Sequence, residues 1–134
     1  MADSVTLGVT PGAGVAFASA ARTATSASAE FGIPAGTVGL TARIDVSAIA
    51  ATPSVVFTIQ GWDQAAESGV GEWFDILSSA AIVATGTTTL KVDPRITAAA
   101  NAVAQHGLVP RMRVNAVHAD ADSITYSVTV FSNP

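Results

Sequence analysis

The sequence predicts an all-β fold, an antiparallel β-sandwich of jelly-roll-like form with an extended N-terminal arm and at most one short helix. Three observations carry this. Successive segments alternate apolar and polar residues with a period of two, which sends neighbouring side chains to opposite faces of a strand. The clearest is the last, where Ile124, Tyr126, Val128 and Val130 interleave with Ser123, Thr125, Ser127 and Thr129. The segments are short and divided by turn-forming residues, the rhythm of two stacked antiparallel sheets. The alanine-rich run at 18–29 lacks the apolar stripe that a helix needs, and its Ser and Thr hydroxyls compete for backbone hydrogen bonds.

Residues 1–36 differ from the rest. They are rich in Ala, Ser, Thr and Gly, with Pro11 and Pro34 as breakers. They are expected to form an extended arm or an edge strand, with the sandwich domain at 37–134. Val5, Leu7 and Val9 have the spacing of a short strand. An arm of this kind orders against a partner, so deleting residues 2–20 is expected to leave the sandwich folded.

From Thr37 onward the pattern sharpens. Leu40, Ala42, Ile44 and Val46 share one face, and Thr41, Arg43, Asp45 and Ser47 the other. After a connection at 50–54, Val55, Phe57 and Ile59 alternate with Val56, Thr58 and Gln60. These two segments are expected to pair as antiparallel neighbours. A polar, glycine-bearing loop follows at 61–71. Short strands are expected at 73–77 and at 87–92, the second with Leu90 and Val92 inward. Asp93-Pro94 ends that strand, since proline donates nothing to a ladder.

The stretch from Thr97 to His106 has two readings. One is a short helix with Thr97 as N-cap and Gly107 just past its end; the other is an irregular crossover between sheets. In the segment 108–118, Met112, Val114 and Ala116 point inward while Arg111, Arg113 and Asn115 point outward. Residues 119–122 turn into the last strand.

The length of 134 residues suits one domain. Hydrophobic residues make up 49% of the chain and charged residues 12%, about half the usual ~25%. Two readings fit so charge-poor a surface: a monomer solvated by Ser and Thr hydroxyls, or a surface covered in an assembly, where charge is depleted. The assembly reading is the one adopted. The net charge is −4, and six basic residues spread along the chain make no phosphate-binding stripe, so no nucleic-acid partner is expected. With no cysteine, there is no disulfide, thiolate nucleophile or thiolate metal site. The start Met-Ala-Asp-Ser has no basic n-region, and no run approaches the ~20 apolar residues of a membrane span, so neither signal peptide nor membrane partner is expected.

The acidic clusters and the histidines read as structural. Asp120 and Asp122, after His118, could suit calcium by spacing, but the loop lacks the glycine and distal glutamate of an EF-hand. Aspartates bonding to nearby backbone N–H groups in a turn explain them better. Asp63, Glu67, Glu72 and Asp75 lie in or beside one loop, with no rigid support of the kind that paired catalytic carboxylates need. His106 and His118 are the two histidines, and no Gly-x-Ser-x-Gly, phosphate loop or dinucleotide fingerprint occurs. No catalytic residue, metal site or cofactor is therefore expected.

Trp62 and Trp73 flank the 61–71 loop, either to anchor the core or to stack on sugar rings. Trp62 keeps the outward parity of Thr58 and Gln60 and is the better surface candidate. Arg111 and Arg113 project from one face, with Arg43 placed on a neighbouring strand, either as interface residues or as ordinary surface charge.

Three segments, ARIDVSAIAATPSVVFTIQGWD (42–63), ILSSAAIVATGTTTLKVDP (76–94) and LVPRMRVNAVHADADSITYSV (108–128), carry a resemblance. From Thr41 to Ser132 the chain resembles small virion proteins of tailed bacteriophages, especially those of actinobacteria, which look like head decoration or minor capsid proteins. The resemblance implies a β-sandwich that binds the outside of a capsid in many copies and stabilises it. It implies the major capsid protein as partner, a homo-oligomer with a trimer as first expectation, and a virion location after synthesis in the bacterial cytoplasm. It brings no catalytic residues. The N-terminal arm matches nothing in that pattern, and the loop from Gly61 to Trp73 is longer than it.

Candidate contacts to a capsid or a second subunit are Val5, Leu7, Val9, Phe17, Arg22, Trp62, Arg111 and Arg113. The alternatives are a carbohydrate-binding module built on the tryptophans and a tail or baseplate subunit.

Overall fold

The computed structural model describes residues 5–6 and 13–134. Within them the alternating segments form two sheets packed face to face, an all-β sandwich. The strands are β1 (Val5–Thr6), β2 (Ala13–Arg22), β3 (Ser26–Ala27), β4 (Phe31–Gly32), β5 (Gly39–Ile49), β6 (Val55–Asp63), β7 (Glu72–Ser78), β8 (Gly86–Val92), β9 (Val103–Ala104), β10 (Arg111–His118) and β11 (Ile124–Asn133). The first sheet runs β1-β4-β10-β6-β7, with β3 also on β10; the second runs β2-β11-β5-β8-β9. Pairing is antiparallel except for the short β1–β4 and β8–β9 ladders.

The core lies between the sheets and is made by the inward parity of each strand. The second sheet supplies Leu40, Ala42, Ile44 and Val46, Leu90 and Val92, and Ile124, Tyr126, Val128 and Val130. The first supplies Val55, Phe57 and Ile59, Leu77, and Met112, Val114 and Ala116. Tyr126 is the hinge between the two layers. Its ring meets Phe57 of the opposite sheet edge-on at 4.8 Å and Phe17 of β2 at 5.6 Å. Edge-to-face pairs of this kind add to the area they bury.

The expected pairing of residues 40–46 with 55–59 does not occur. β5 pairs with β11 and β8, whereas β6 pairs with β10 and β7. Alternation marks which face of a strand is buried, and both strands bury theirs. It does not say whether the partner lies beside the strand or across the core. The 50–54 connection carries the chain from one sheet to the other, so the two apolar rows face each other. Arg43 accordingly stands on the second sheet, not beside Arg111 and Arg113.

Residues 97–106 take the crossover reading. The segment 97–101 is exposed and has no stripe to bury. Its continuation serves the edge of β8 instead: Lys91 N–H donates to Ala102 and Asp93 N–H to Ala104. No α-helix occurs among the described residues; one 3-10 turn spans Glu67–Gly69.

Residues 13–36 are packed into the same sandwich. β2 is an edge strand on β11, while β3 and β4 pair with β10. Phe17 and Phe31 enter the core, 6% and 1% exposed. The boundary at residue 36 therefore separates no independent packing unit among the described residues. Large side chains at two positions suffice to tie an otherwise small-residue segment to the core.

Candidate functional site

The outer face of the first sheet collects the side chains with the most chemistry. Period-two geometry turns Gln60 and Trp62 of β6, Trp73 and Asp75 of β7, and Arg111 and Arg113 of β10 to the same side. The register then makes them neighbours: Arg113 lies opposite Gln60, Gln60 opposite Asp75, and Trp62 opposite Trp73. Cross-strand neighbours on one face are close enough to touch.

The tryptophans meet at a ring-centroid distance of 5.2 Å, with their planes 64° apart. The Arg111 guanidinium lies 4.7 Å from the centre of the Trp62 ring, and that of Arg113 lies 4.3 Å from the centre of the Trp73 ring. Both are within the range of cation–π attraction. Arg111 donates from Nε and Nη2 to the two carboxylate oxygens of Glu30, at 2.9 and 2.7 Å. Arg113 donates from Nε to Gln60 Oε1 at 2.7 Å, and Gln60 Nε2 donates to Asp75 Oδ1 at 2.8 Å. Trp62 Nε1 donates to Gln64 Oε1 at 2.9 Å.

The chain fits closely around Trp62. Gly71 has a φ of +91°, and a Cβ there would collide with the six-membered ring of the indole. Glycine alone permits both the left-handed backbone and the close approach. Trp62 is thus flanked by the Gly71 backbone and the Arg111 guanidinium, which fixes its orientation.

The electrostatics separate the two arginines. Its bidentate bond to Arg111 holds the Glu30 carboxyl below the usual range, and Glu30 in turn raises Arg111. Arg113 moves the other way: burial lowers it, and the distant Glu30 charge offsets this only in part.

The other candidates are placed elsewhere. Phe17 is a core residue and offers no contact surface, because β2 turns it inward against Tyr126. Arg22 lies over the rings of Phe17 and Tyr126 and donates to the carbonyls of Ala18, Ala20 and Tyr126, which fastens β2 to β11 where their register slips. Val5 has its backbone in β1, opposite Phe31. Leu7 and Val9 lie outside the described residues.

The turn aspartates bond to nearby groups: Asp120 accepts from the Asp122 N–H, and Asp122 from the Thr52 N–H and hydroxyl. Of the loop acids, Asp63 accepts from the Ala65 N–H. Among the described residues no group of three or more His, Asp or Glu is placed to hold a metal ion. No helix among them is long and apolar enough to cross a membrane.

Parity in the sequence turns Trp62, Arg111 and Arg113 outward and the shared loop brings Trp73 to Trp62, but Gln60 and Glu30 are not marked as parts of the same site. Gln60 shares the parity of Trp62 and was legible on that ground. Glu30 is 81 positions from Arg111 and had no local signal.

Fold and face together define a β-sandwich that presents an ordered tryptophan–arginine surface. No family model, curated protein or solved structure matches the chain.

Proposed function

We propose that this chain is a structural virion protein that binds the outer surface of a phage capsid and stabilises the shell. One observation carries the reading: Trp62, Trp73, Arg111 and Arg113 are locked side by side on the outer face of a sheet. Tryptophan and arginine are the residues that concentrate binding energy at protein interfaces, and their fixed geometry reduces the entropy lost on docking. The resemblance over residues 41–132 and the low charge content support the same reading. The partner is then the major capsid protein. Repetition of copies on the shell, as a trimer or another homo-oligomer, raises modest single contacts to firm attachment by avidity.

The geometry favours this over a sugar-binding module. Rings 64° apart do not form one flat platform, and each carries a guanidinium on a face. Sedimentation with purified empty capsids of the parent phage tests the proposal. The protein is expected in the pellet with the shells; failure to co-sediment at every salt concentration rejects it. An electron-cryomicroscopy map of the virion separates a head position from a tail or baseplate position.

A further inference from the structure

We propose that Arg113, held on the Trp73 ring, anchors this face by a bidentate bond to a carboxylate side chain on the shell protein that it covers. The inference rests on the decoration reading and adds the chemistry of the contact.

On this face Arg113 differs from Arg111 in what it leaves unbonded. Arg111 spends its fork on Glu30, and Arg95 bonds to Asp93 through Nε and Nη2. Arg22 is occupied by backbone carbonyls. Arg113 uses Nε alone, on the neutral Gln60, and its two terminal nitrogens have no hydrogen-bond partner among the described residues. The carboxylates nearby are already engaged, Glu30 by Arg111 and Asp75 by Gln60. Gln60, 8% exposed, stands between Arg113 and Asp75 with its carbonyl toward one and its amide toward the other. The ladder holds the Arg113 Nε and leaves its two terminal nitrogens open.

That guanidinium is also prepared for a partner. The Trp73 ring fixes its plane, and the bond to Gln60 fixes its rotation about the stem. A planar fork with its terminal N–H groups free matches the two oxygens of a carboxylate. Burial has already removed part of its hydration, which is why its pKa is lowered where those of Arg111 and Arg95 are raised. A carboxylate arriving here meets a cation that has less water to shed. The chain as a whole carries −4. Arg43 and Lys91 also have no hydrogen-bonded carboxylate among the described residues, but both stand on the second sheet, so Arg113 is the unpaired cation of the tryptophan face.

The two tryptophans of the chain both lie in this face, so tryptophan emission, excited beyond the absorption of Tyr126, reports on it alone. The full chain is titrated with an acetylated, amidated tetraglutamate peptide at constant ionic strength, with tetraglutamine as the control. A saturable change is expected with the glutamate peptide only. Arg113→Gln should weaken it roughly tenfold, the loss of a charge-assisted hydrogen bond. Arg113→Lys, which keeps the charge and loses the fork, should weaken it less. Arg43→Gln, on the other sheet, should leave it unchanged.

No saturable change, or an equal response from wild type and both Arg113 variants, overturns the anchor. A fluorescence shift that depends on protein concentration without peptide also overturns it, by assigning the face to a second copy. Co-sedimentation with empty capsids runs in parallel. Wild-type shell binding unaffected by Arg113→Gln rejects the anchor and keeps the decoration reading. Saturable peptide binding with no shell binding rejects the decoration reading and, with it, the shell as the anchor's partner.

Discussion

At the scale of single residues, the most constrained group outside the contact face is His118. Its Nε2 is 3.1 Å from the Tyr126 hydroxyl, and its Nδ1 is buried with no partner among the described residues. A proton on Nδ1 would be a buried donor without an acceptor. Burial therefore holds the pKa below the ordinary 6.5; Arg22 pushes the same way and Asp120 opposes. The folded protein thus takes up this proton at lower pH than the unfolded chain does. Stability attributable to His118 is complete above pH 6.5 and is lost as pH falls through the lowered folded value. Chemical denaturation at several pH values should show stability falling as the pH drops below about 6.5, with the slope flattened in His118→Gln. Asp93, brought to about 2 by its bonds from Arg95, contributes at much lower pH and does not confuse that window.

Gly71 makes a second prediction at this scale. Gly71→Ala combines a disfavoured φ with a collision against Trp62. It should destabilise the protein by at least about 1 kcal/mol and shift the tryptophan emission, since the indole must leave its slot. Unchanged melting and emission would mean that the loop gives way freely.

At the scale of elements, the β5–β11 pair is the spine of the second sheet. Ile44 and Val128 sit opposite each other on it, both fully buried. Ile44→Ala should cost about 2–5 kcal/mol in urea unfolding. Ile44→Asp or Val128→Asp should abolish folding, because either leaves an unpaired charge in the core. β2 changes the expectation for the N-terminal segment. Deleting residues 2–20 removes most of an edge strand, with Phe17 and its contact to Tyr126. The truncated chain should melt at lower temperature, not retain an unaltered sandwich. An unchanged melting temperature would show that β2 contributes nothing to the core.

At the scale of the whole molecule, one core joins both sheets, and the Phe17–Tyr126–Phe57 stack crosses it. Thermal unfolding is expected as a single cooperative transition, with near-ultraviolet signals from the tryptophan face coinciding with far-ultraviolet loss of strand. Separate transitions would divide the chain into units that the packing does not reveal. The same rigidity suits the proposed role: a face on a sheet backed by a shared core holds its geometry when many copies bind side by side.

What the sequence determined by itself was parity. The rows Leu40–Val46, Val55–Ile59, Met112–Ala116 and Ile124–Val130 were each assigned to the core by alternation, and each is buried. Parity also turned Trp62, Arg111 and Arg113 outward. This much is local, because the two faces of a strand follow from covalent geometry. Only the tertiary structure decided which strands are neighbours. It parted β5 from β6, moved Arg43 to the other sheet, drew Phe17 and Phe31 into the core and brought Glu30 to Arg111. Those choices depend on how two apolar layers close over each other and on chain crossings that leave no periodic trace. The setting of Arg113 belongs to the same class, since the amide that holds its Nε and the ring on which it lies come from two other strands, and the nearby Glu30 is taken by Arg111.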